Sequence, residues 1–413
     1  MSYKDLFQPA NEAAAVLKKN QKGDLSCTAC GLYKKVNHPN ITFHGEGKKN
    51  VLIVGEAPGE TEDQLNKQWQ GKVGKYFQGV LRKEFGFKMF EDGVCINSVN
   101  CRPPQNRKPT PKEIDCCRKE VFNAIKKVKP NVIILAGGSA IESVIGVQWK
   151  KSLDGVTRWR GFRIPDQTFK AWVCPTFHPS YVQRMSDYPQ VELLFKQDLK
   201  NALSLWDTPV IEFPNWEDMV SIITNKKEVL KLLNSIVENQ PEYLAFDYET
   251  TGLKPHDEGH KIVCASISFN GHSAFAFPLK GKKIKRVWKQ ILTNNKIKKF
   301  AHNMQYEDTW TKEILGYNIC GWEWDSMVAA HIKDNRKKIT GLKFQSCVHF
   351  GVYDYSSEVE PYLKSKDSKN GNSKNRIMDL VEKPGGMDKL LLYCGIDSLL
   401  EYRLAMIQRN QML

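Results

Sequence analysis

The stretch YLAFDYETTG at residues 243–252 decides the fold of the second half of the chain. Its apolar start, Tyr243–Phe246, predicts a strand, and alternation along that strand puts Asp247 and Glu249 on the same face of a sheet. Two such carboxylates form a divalent-cation site when oxygen atoms complete the ligand shell. A single Asp-x-Glu pair is common on protein surfaces, so a metal site needs support from further motifs.

Two later motifs supply more acidic residues. The stretch HNMQYED contains Asn303, with Glu307 four residues after it and Asp308 next. Farther on, Tyr393 and Asp397 lie at helical i,i+4 spacing, so the phenol and the carboxylate share one face of a helix. Three acidic motifs in this order are much harder to explain by chance than any one of them.

The order Asp-x-Glu, Asn-x-x-Tyr-acid and Tyr-x-x-x-Asp resembles the DEDD superfamily of proofreading 3'-5' exonucleases over about residues 225–410. It is most similar to the version attached to family-A DNA polymerases. The resemblance implies an RNase H-like fold, attacking water oriented by Tyr393, and two Mg²⁺ or Mn²⁺ ions at the scissile phosphate. The implied ion ligands are Asp247, Glu249, Glu307 and Asp397.

The second motif departs from this family, which usually has Asp four residues after the Asn. That position holds Glu307, whose carboxylate reaches one methylene farther and can bind metal directly or through water. On spacing we favour Glu307 over its neighbour Asp308, which stays an alternative. We expect Asn303 and Asp308 to contact the DNA substrate.

The first half of the chain is basic and carries no membrane signal. Residues 1–200 hold 32 Lys and Arg against 20 Asp and Glu, a net +12, whereas residues 201–413 hold 29 against 26, a net +3. A basic half suits a polyanion such as DNA. No apolar run approaches membrane-spanning length, and the start MSYKDLFQPANEAAAVLKKN lacks the features of a secretory signal. We therefore expect a cytoplasmic protein with no membrane partner.

Strand-like and helix-like stretches alternate through the first half. A helix is predicted to begin at Thr110, the N-cap of a capping box, and to end at Val128. Alternation of this kind predicts an α/β sheet with function at the carboxyl ends of its strands. The strands are predicted at Val51–Val54, Val94–Val99, Asn131–Ala136 and Ala171–Phe177.

A new pattern begins after a junction near residues 205–225. It predicts a helix near Lys227–Glu238, strands at Ile262–Phe269 and His272–Pro278, and mainly helices afterwards. We therefore predict two α/β domains, at residues 1–208 and 209–413.

Eleven cysteines are present, seven of them before residue 180. A disulfide framework is not expected in a long chain without an export signal. Cys27 and Cys30 form a C-x2-C pair, and Cys101 and Cys117 form a second pair. Four thiolates can hold a 4Fe–4S cluster or a zinc ion.

Three stretches near these cysteines resemble family 4 uracil-DNA glycosylases over about residues 20–205. They are GEAPGETED at 55–63, NSVNCRPPQNR at 97–107 and PTFHPSY at 175–181. The resemblance implies a 4Fe–4S cluster rather than zinc, held by Cys27, Cys30, Cys101 and Cys117. Cys116 is an alternative to Cys117, although the spacing favours Cys117.

The same resemblance implies a pocket for a base flipped out of DNA. Glu56 would position water or stabilise an oxocarbenium-like sugar, and Asn97 would pair with the O4 and N3 edge of uracil. His178 would stabilise the departing anion near O2, and Trp69 would stack under the base where the family has Phe. We expect further DNA contacts from Ala57, Pro58, Gly59, Glu62, Asp63, Asn106, Ser180 and Arg184.

The floor of this pocket departs from the family. The usual Gly-Arg-Pro-Phe-Val-Gly is replaced by NKQWQG at 66–71. Uracil, a modified pyrimidine, or no excised base at all are therefore open alternatives.

The fusion of the two domains resembles the N-terminal part of certain bacteriophage DNA polymerases, where both precede a family-A polymerase domain. The chain ends sixteen residues after Asp397, so a separate subunit, a fragment of a longer polymerase and a free-standing nuclease are open alternatives. We expect a DNA polymerase subunit or domain to act in trans. The expected substrate is DNA, chiefly single-stranded 3' ends, including uracil-containing ones. A phage-encoded protein would act in the host cytoplasm. In the alternative interpretation, the first domain is a non-catalytic DNA- or polymerase-binding module.

Overall fold

The computed structural model describes residues 27–365 and 374–413, which form two compact units. The first unit comprises the chain up to Glu212 together with Cys347–Tyr353. The second comprises Phe213–Ser346 and Asp354–Leu413. The first twenty residues, in which no secretory signal is predicted, lie outside the described part of the chain.

A five-stranded sheet forms the centre of the first unit. Its strand order is β2-β1-β3-β5-β4, and all neighbours are parallel except β4 and β5. Strands β1, β2 and β3 are buried throughout, as expected for a parallel sheet covered on both faces. The strands are β1 (Val51–Gly55), β2 (Gly93–Asn97), β3 (Val132–Ala136), β4 (Ile164–Asp166) and β5 (Ala171–Thr176).

Helices cover this sheet and are capped as the sequence predicts. Thr110 accepts a hydrogen bond from the backbone N–H of Glu113, and the Glu113 carboxylate accepts one from the backbone N–H of Thr110. The helices are α1 (Glu60–Leu65), α2 (Lys72–Phe85), α3 (Pro111–Val128), α4 (Gly138–Val144), α5 (Val156–Trp159), α6 (Pro179–Arg184) and α7 (Pro189–Leu203).

The second unit is built on a six-stranded sheet in the order β11-β10-β7-β8-β9-β6. The pairs β7–β8 and β8–β9 are antiparallel, and the other pairs are parallel. The strands are β6 (Val220–Ile222), β7 (Tyr243–Thr250), β8 (Ile262–Ser268), β9 (Ala274–Pro278), β10 (Lys298–Ala301) and β11 (Trp322–Asp325).

Its core packs α8, α9 and α10 against the sheet around Phe246 and Trp288, which are almost fully buried. The helix α10 continues into a π-helical turn at Thr311–Leu315. The helices are α8 (Lys226–Asn239), α9 (Lys282–Leu292), α10 (Met304–Trp310), α11 (Ser326–Lys333), α12 (Leu342–Phe350), α13 (Ile377–Val381) and α14 (Gly386–Met412). Within the described residues, none of these helices has the length and apolar character needed to cross a bilayer.

The predicted α/β class of both domains is confirmed by the two sheets. Strand β7 runs to Thr250, farther than the predicted end at Phe246. Helices dominate after Pro278, as predicted, and the two short strands β10 and β11, which were not predicted, complete the sheet. Strand β10 begins with two lysines, and the side chain of Lys299 is buried although its residue type predicts a surface position.

Candidate active sites

Strand β7 brings two acidic side chains to one face of the six-stranded sheet. A carboxylate oxygen of Asp247, one of Glu249 and the Cys394 sulfur all lie within 4.8 Å of one another. Between the two acids, Tyr248 points to the other face, where Trp288 Nε1 donates to its hydroxyl at 2.8 Å. The alternation of the strand therefore separates an acidic face from an apolar core.

Helix α14 carries Tyr393 and Asp397 one turn apart. A Cβ atom on Gly395 would lie 2.3 Å from Val220 Cγ1, so glycine is needed for the helix to lie this close to β6. The Ser266 hydroxyl of β8 donates to the Cys394 carbonyl at 2.6 Å. These contacts hold helix α14 against the sheet whose strand β7 bears the other acids.

Helix α10 adds a further carboxylate. Glu307 is only 3% exposed and interacts electrostatically with Asp247. Asp308 points elsewhere, because Trp322 Nε1 donates to its Oδ1 at 3.3 Å. The helix begins after Asn303, whose φ of 84° is left-handed and whose backbone N–H donates to Asp325 at 3.2 Å. The structure thus places Glu307, not Asp308, with the other acids.

The acidic cluster is electrostatically strained without a cation. Burial raises the pKa of Asp247, Glu249 and Glu307, and neighbouring carboxylates raise it further: Asp397 for the first, Asp247 for the other two. Glu307 Oε2 is buried and has no hydrogen-bond partner among the described residues. Oxygen ligands of this density, with one of them unpaired, fit divalent cations.

Two residues of this centre, Lys343 and Tyr355, are not among the site residues predicted from the sequence. Lys343 Nζ and the Tyr355 hydroxyl both donate to Asp397 Oδ1. Lys343 Nζ also lies 4.2 Å from the ring centres of both Tyr355 and Tyr393. Burial, followed by the charge of Asp397, raises the pKa of Tyr393, so its phenol stays a neutral donor.

A second constellation forms at the carboxyl ends of the parallel strands of the first unit. Glu56 follows β1, Asn97 ends β2, and His178 lies two residues beyond β5. A Cβ atom on Gly55 would lie 2.2 Å from Asn97 Oδ1 and 2.5 Å from the Trp69 ring, so glycine is required at the end of β1. Loops at this edge of a parallel sheet converge on one site.

The two rings of this pocket are stacked. Trp69 and His178 have ring centres 5.7 Å apart and an interplanar angle of 25°. The Ser180 backbone N–H donates to His178 Nδ1 at 3.2 Å, so Nδ1 is an acceptor and Nε2 carries the proton of the neutral ring. Burial first, then the charge of Arg184, lower the pKa of His178 to about 4.

Other predicted pocket residues either make hydrogen bonds near the strand ends or lie in the loop after β1. Glu56 accepts a hydrogen bond from the Ser139 hydroxyl at 2.9 Å, a contact that no local sequence pattern announces. Arg184 donates to the Ser180 hydroxyl at 3.1 Å, beside the histidine. Glu56 and Arg184 therefore lie near the strand ends. In the loop after β1, Ala57 and Gly59 are half-buried and Pro58 is buried.

Glu62 and Asp63 are buried, and their carboxylates accept hydrogen bonds from backbone N–H groups. Glu62 accepts from the backbone N–H groups of Gly59 at 3.1 Å and Gly71 at 2.8 Å. Asp63 accepts from two backbone N–H groups of the preceding loop at 3.0–3.1 Å. Asn106, farther along, accepts from the Arg102 side chain at 2.7 Å. These contacts shape the loops, and the contribution of the three residues to DNA binding stays a prediction.

Four cysteines of the first unit, Cys27, Cys30, Cys101 and Cys117, lie near enough to interact electrostatically. Burial, followed by the nearby Cys101, Cys30 and Cys27, raises the pKa of Cys117 to about 12. Cys101 Sγ accepts from the Asn40 backbone N–H at 3.3 Å. All eleven cysteines lie within the described residues and are free thiols. Such a set of thiols ionises when it binds a metal, and backbone donors to the sulfurs suit a metal cluster.

The neighbouring Cys116 shares less of this environment. Among the groups that shift the pKa of Cys116, Cys30 is the only cysteine, and the two side chains form a hydrogen bond. Cys117 is influenced by all three other members of the predicted set. The choice of Cys117 over Cys116 as the fourth ligand stays a prediction from the sequence.

One sheet thus carries a carboxylate cluster, and the other carries polar and aromatic groups at the carboxyl ends of its parallel strands. Comparison with known families agrees. Residues 43–200 match the uracil DNA glycosylase superfamily, and residues 220–366 match the 3'-5' exonuclease family of DNA polymerase A.

Individual relatives confirm both resemblances. The type-4 uracil-DNA glycosylase of Thermotoga maritima is 38% identical over 180 residues, which are 43% of this chain and 88% of the relative. The DNA polymerase of Bacillus phage SP01 is 25% identical over 415 residues, which span 92% of this chain and 42% of the polymerase. Among solved structures, NrnC of Brucella melitensis is 16% identical with a TM-score of 0.33, covering 47% of this chain and 82% of NrnC.

The chain therefore belongs, through its first domain, to the type-4 uracil-DNA glycosylase family, and it carries a 3'-5' exonuclease domain behind it. Both domains act on DNA, so the protein binds DNA.

Proposed function

We propose that this protein excises uracil from DNA and trims DNA 3' ends in support of a DNA polymerase that acts in trans. The observation that carries the proposal is the convergence of Asn97, His178 and Trp69 at one edge of the first sheet, matched by the carboxylate cluster on the second. We place the boundary between the two domains at residues 208 and 209, and the site of action in the cytoplasm.

The exonuclease centre would be held together by cations. Asp247, Glu249, Glu307 and Asp397 are the proposed ligands of two Mg²⁺ or Mn²⁺ ions. Bound ions would supply an activated water and stabilise the leaving oxygen. The neutral Tyr393 phenol, one helical turn from Asp397, would orient the attacking water by hydrogen bonding.

The remaining groups of this centre position substrate and ligands. Lys343 and Tyr355 fix one Asp397 oxygen by donating to it. Asn303 and Asp308 lie at the start and on the flank of α10, where they would contact the 3'-terminal nucleotides. Single-stranded 3' ends are the proposed substrate.

The glycosylase pocket would bind a flipped uracil between stacked rings and polar donors. The Asn97 amide, which is 4% exposed, would pair with the O4 and N3 edge of the base. The neutral His178 would donate from Nε2 to O2 as negative charge develops on the departing base. Glu56, fixed by Ser139, would position the water or stabilise the positively charged sugar.

Surrounding residues would press on the DNA strand. Ser180, which hydrogen-bonds to His178, and Arg184, which donates to the Ser180 hydroxyl, would contact the DNA backbone. Further contacts are proposed from Ala57, Pro58, Gly59, Glu62, Asp63 and Asn106. The Trp69 ring replaces the family's Phe as the stacking platform.

Cys27, Cys30, Cys101 and Cys117 are the proposed ligands of a 4Fe–4S cluster, which would order the loops that carry them. Anaerobically purified protein is expected to absorb broadly at about 400 nm. If the purified protein were colourless and contained one zinc ion per chain, the four cysteines would form a zinc site and the proposed cluster would be wrong.

One experiment separates the two activities. A 5'-labelled single-stranded oligonucleotide with one uracil is incubated with the protein, either in Mg²⁺ or in EDTA, and then treated with alkali. EDTA is expected to stop 3' digestion but to leave alkali-dependent cleavage at the uracil, because only the nuclease depends on divalent ions.

The variant control uses Glu56→Gln combined with Asn97→Ala, which should remove the alkali-dependent product alone. Absence of an abasic product from the unaltered protein would refute excision and favour a first domain that only binds DNA or the polymerase. Absence of 3' digestion in Mg²⁺ and in Mn²⁺ would refute the exonuclease assignment.

A further inference from the structure

A cysteine lies inside the exonuclease centre, among groups that ordinarily bind hard ions through oxygen. Cys394 is fully buried and follows Tyr393 directly on α14. Its thiol contacts Asp247 Oδ2 at 3.6 Å, and its sulfur lies within 4.8 Å of ligand oxygens of both Asp247 and Glu249. The two-metal chemistry proposed above gives this sulfur no role.

The spacing of these atoms fits a soft metal ion. Zinc bonds of about 2.3 Å to sulfur and about 2.1 Å to oxygen, meeting at a tetrahedral angle, hold the two ligand atoms about 3.6 Å apart. The Cys394 sulfur and Asp247 Oδ2 have this separation. Glu249 supplies a third ligand atom on the same side of the sheet.

An independent observation also points to a missing ligand. Glu307 Oε2 is buried, belongs to a side chain only 3% exposed, and has no hydrogen-bond partner in the described part of the chain. The charge of Asp247 acts on this carboxylate, so Glu307 faces the same acids. A cation at the centre would satisfy the unpaired oxygen.

Ligand chemistry sets the preference among divalent ions. Thiolates favour zinc and similar soft ions, whereas carboxylates and water suit Mg²⁺ and Mn²⁺. Zinc also ranks well above Mn²⁺ in its affinity for a given site of nitrogen, oxygen and sulfur ligands. A centre with one sulfur and several carboxylates therefore favours a thiophilic ion more strongly than a centre of carboxylates alone.

We propose that Cys394, Asp247 and Glu249 form a binding site for a thiophilic divalent cation of the Zn²⁺ class, which competes with the ions of exonuclease catalysis. This inference rests on the proposed exonuclease centre, since the same carboxylates serve both. On binding, the Cys394 proton passes to solvent and the sulfur becomes an anionic ligand.

The test uses the full-length protein with its N-terminal cysteine site loaded, and Co²⁺ as a coloured substitute for Zn²⁺. A cysteine-bound Co²⁺ ion gives a sulfur-to-metal charge-transfer band in the near ultraviolet. Difference spectra between unaltered protein and Cys394→Ala cancel the contributions of the other ten cysteines. The band is expected in unaltered protein and should be missing in Cys394→Ala.

Two further variants make the result specific. Cys394→Ser keeps the size of the side chain but not the sulfur, and it should also lack the band. Cys320→Ala removes a partly exposed cysteine of the same unit and should keep it. Circular dichroism and thermal unfolding establish that each variant is folded before its spectrum is interpreted.

Competition gives the second readout. Zn²⁺ should displace Co²⁺, and the apparent Zn²⁺ dissociation constant of this site should rise at least about tenfold in Cys394→Ala. A band of equal strength in folded Cys394→Ala, or one lost in Cys320→Ala alone, overturns the proposal. The 3.6 Å contact would then be a thiol hydrogen bond only.

Failure of this inference can be told apart from failure of the proposed exonuclease. Digestion of 3' ends in Mg²⁺ without a Cys394-dependent band refutes the thiophilic site and leaves the nuclease intact. A Cys394-dependent band in a protein that digests no DNA in Mg²⁺ or Mn²⁺ supports the metal site and refutes the exonuclease assignment.

Discussion

The two candidate sites differ in how their charges are balanced. In the exonuclease centre, Asp247, Glu249 and Glu307 repel one another, and their pKa values are raised. In the glycosylase pocket, the groups that face the base are an amide, an indole and a neutral imidazole, Asn97, Trp69 and His178. The first site gathers like charges that a cation would balance, whereas the groups proposed to read the base in the second are uncharged.

This difference shows how one chain can carry two hydrolytic activities that respond to different conditions. Removal of divalent ions disturbs a cluster of like charges far more than it disturbs a neutral pocket. The substitutions below test whether the two sites are as independent as their electrostatics indicate.

Asp247→Asn should have the largest effect. It keeps the shape of the side chain but removes the charge that both Glu249 and Glu307 sense, so cation binding is lost. We expect release of 3' nucleotides in Mg²⁺ to fall at least about a thousandfold, with uracil excision unchanged. The measurement is the rate of shortening of a 5'-labelled oligonucleotide.

Asp308→Asn tests the alternative acid of the second motif, since this neighbouring acid lies against Trp322 rather than in the cluster. Its loss of activity should be much smaller than that of Asp247→Asn, because its proposed role is limited to substrate contact. If Asp308→Asn were as inactive as Asp247→Asn, Asp308 would replace Glu307 as the acid of the second motif.

Asn97→Ala should produce the largest effect in the other pocket. Its buried amide is the proposed reader of the base, and loss of one such polar group costs about a hundredfold to a thousandfold in rate. Uracil excision in EDTA, followed as alkali-labile product, should fall by this amount while 3' digestion in Mg²⁺ continues. Asn201→Ala, on the outer helix α7, is the control and should excise uracil normally.

Local sequence patterns were sufficient to predict the parts of both sites that lie on regular elements. The alternation of β7 placed Asp247 beside Glu249, and helical spacing placed Tyr393 beside Asp397. The apolar runs Val51–Val54 and Val94–Val99 predicted two strands of an α/β sheet with function at their carboxyl ends. The observed strands β1 and β2 are parallel neighbours that end at Gly55 and Asn97.

Contacts between distant segments were not predictable in this way. Tyr355 reaches Asp397 and Ser139 reaches Glu56 across 42 and 83 residues, and neither has a local signature. The assignment of Cys347–Tyr353 to the first unit is a further example. There, the Tyr353 hydroxyl donates to the buried Asp166 at 2.8 Å, a contact that depends on tertiary packing alone.

Glu307→Asp sharpens the comparison with a smaller change. It restores the residue usual in the exonuclease family, keeps the charge and shortens the side chain by one methylene. Because the carboxylate cluster keeps its charge, we expect 3' digestion to stay within about tenfold of the unaltered rate, whereas Glu307→Gln should reduce it about a hundredfold. Equal activity of the Asp and Gln variants would show that the charge at this position is not used.

His178 offers the smallest effect and a direct test of neutrality in the glycosylase pocket. Its pKa is lowered to about 4 in the folded protein, against about 6.5 in an unfolded chain. Between these values the unfolded chain binds the proton more readily, so the free energy of unfolding falls as pH falls from about 6.5 towards 4.

His178→Asn removes this proton-linked loss of stability. The thermal unfolding midpoint of the first domain should therefore decline less steeply in the variant below pH of about 6.5, by an amount equivalent to about 3 kcal/mol at pH 4. Above that pH, the two proteins should show parallel profiles. Parallel profiles across the whole range would mean that His178 is protonated as easily in the folded pocket as in solution, and the proposed neutral donor would have to be another group.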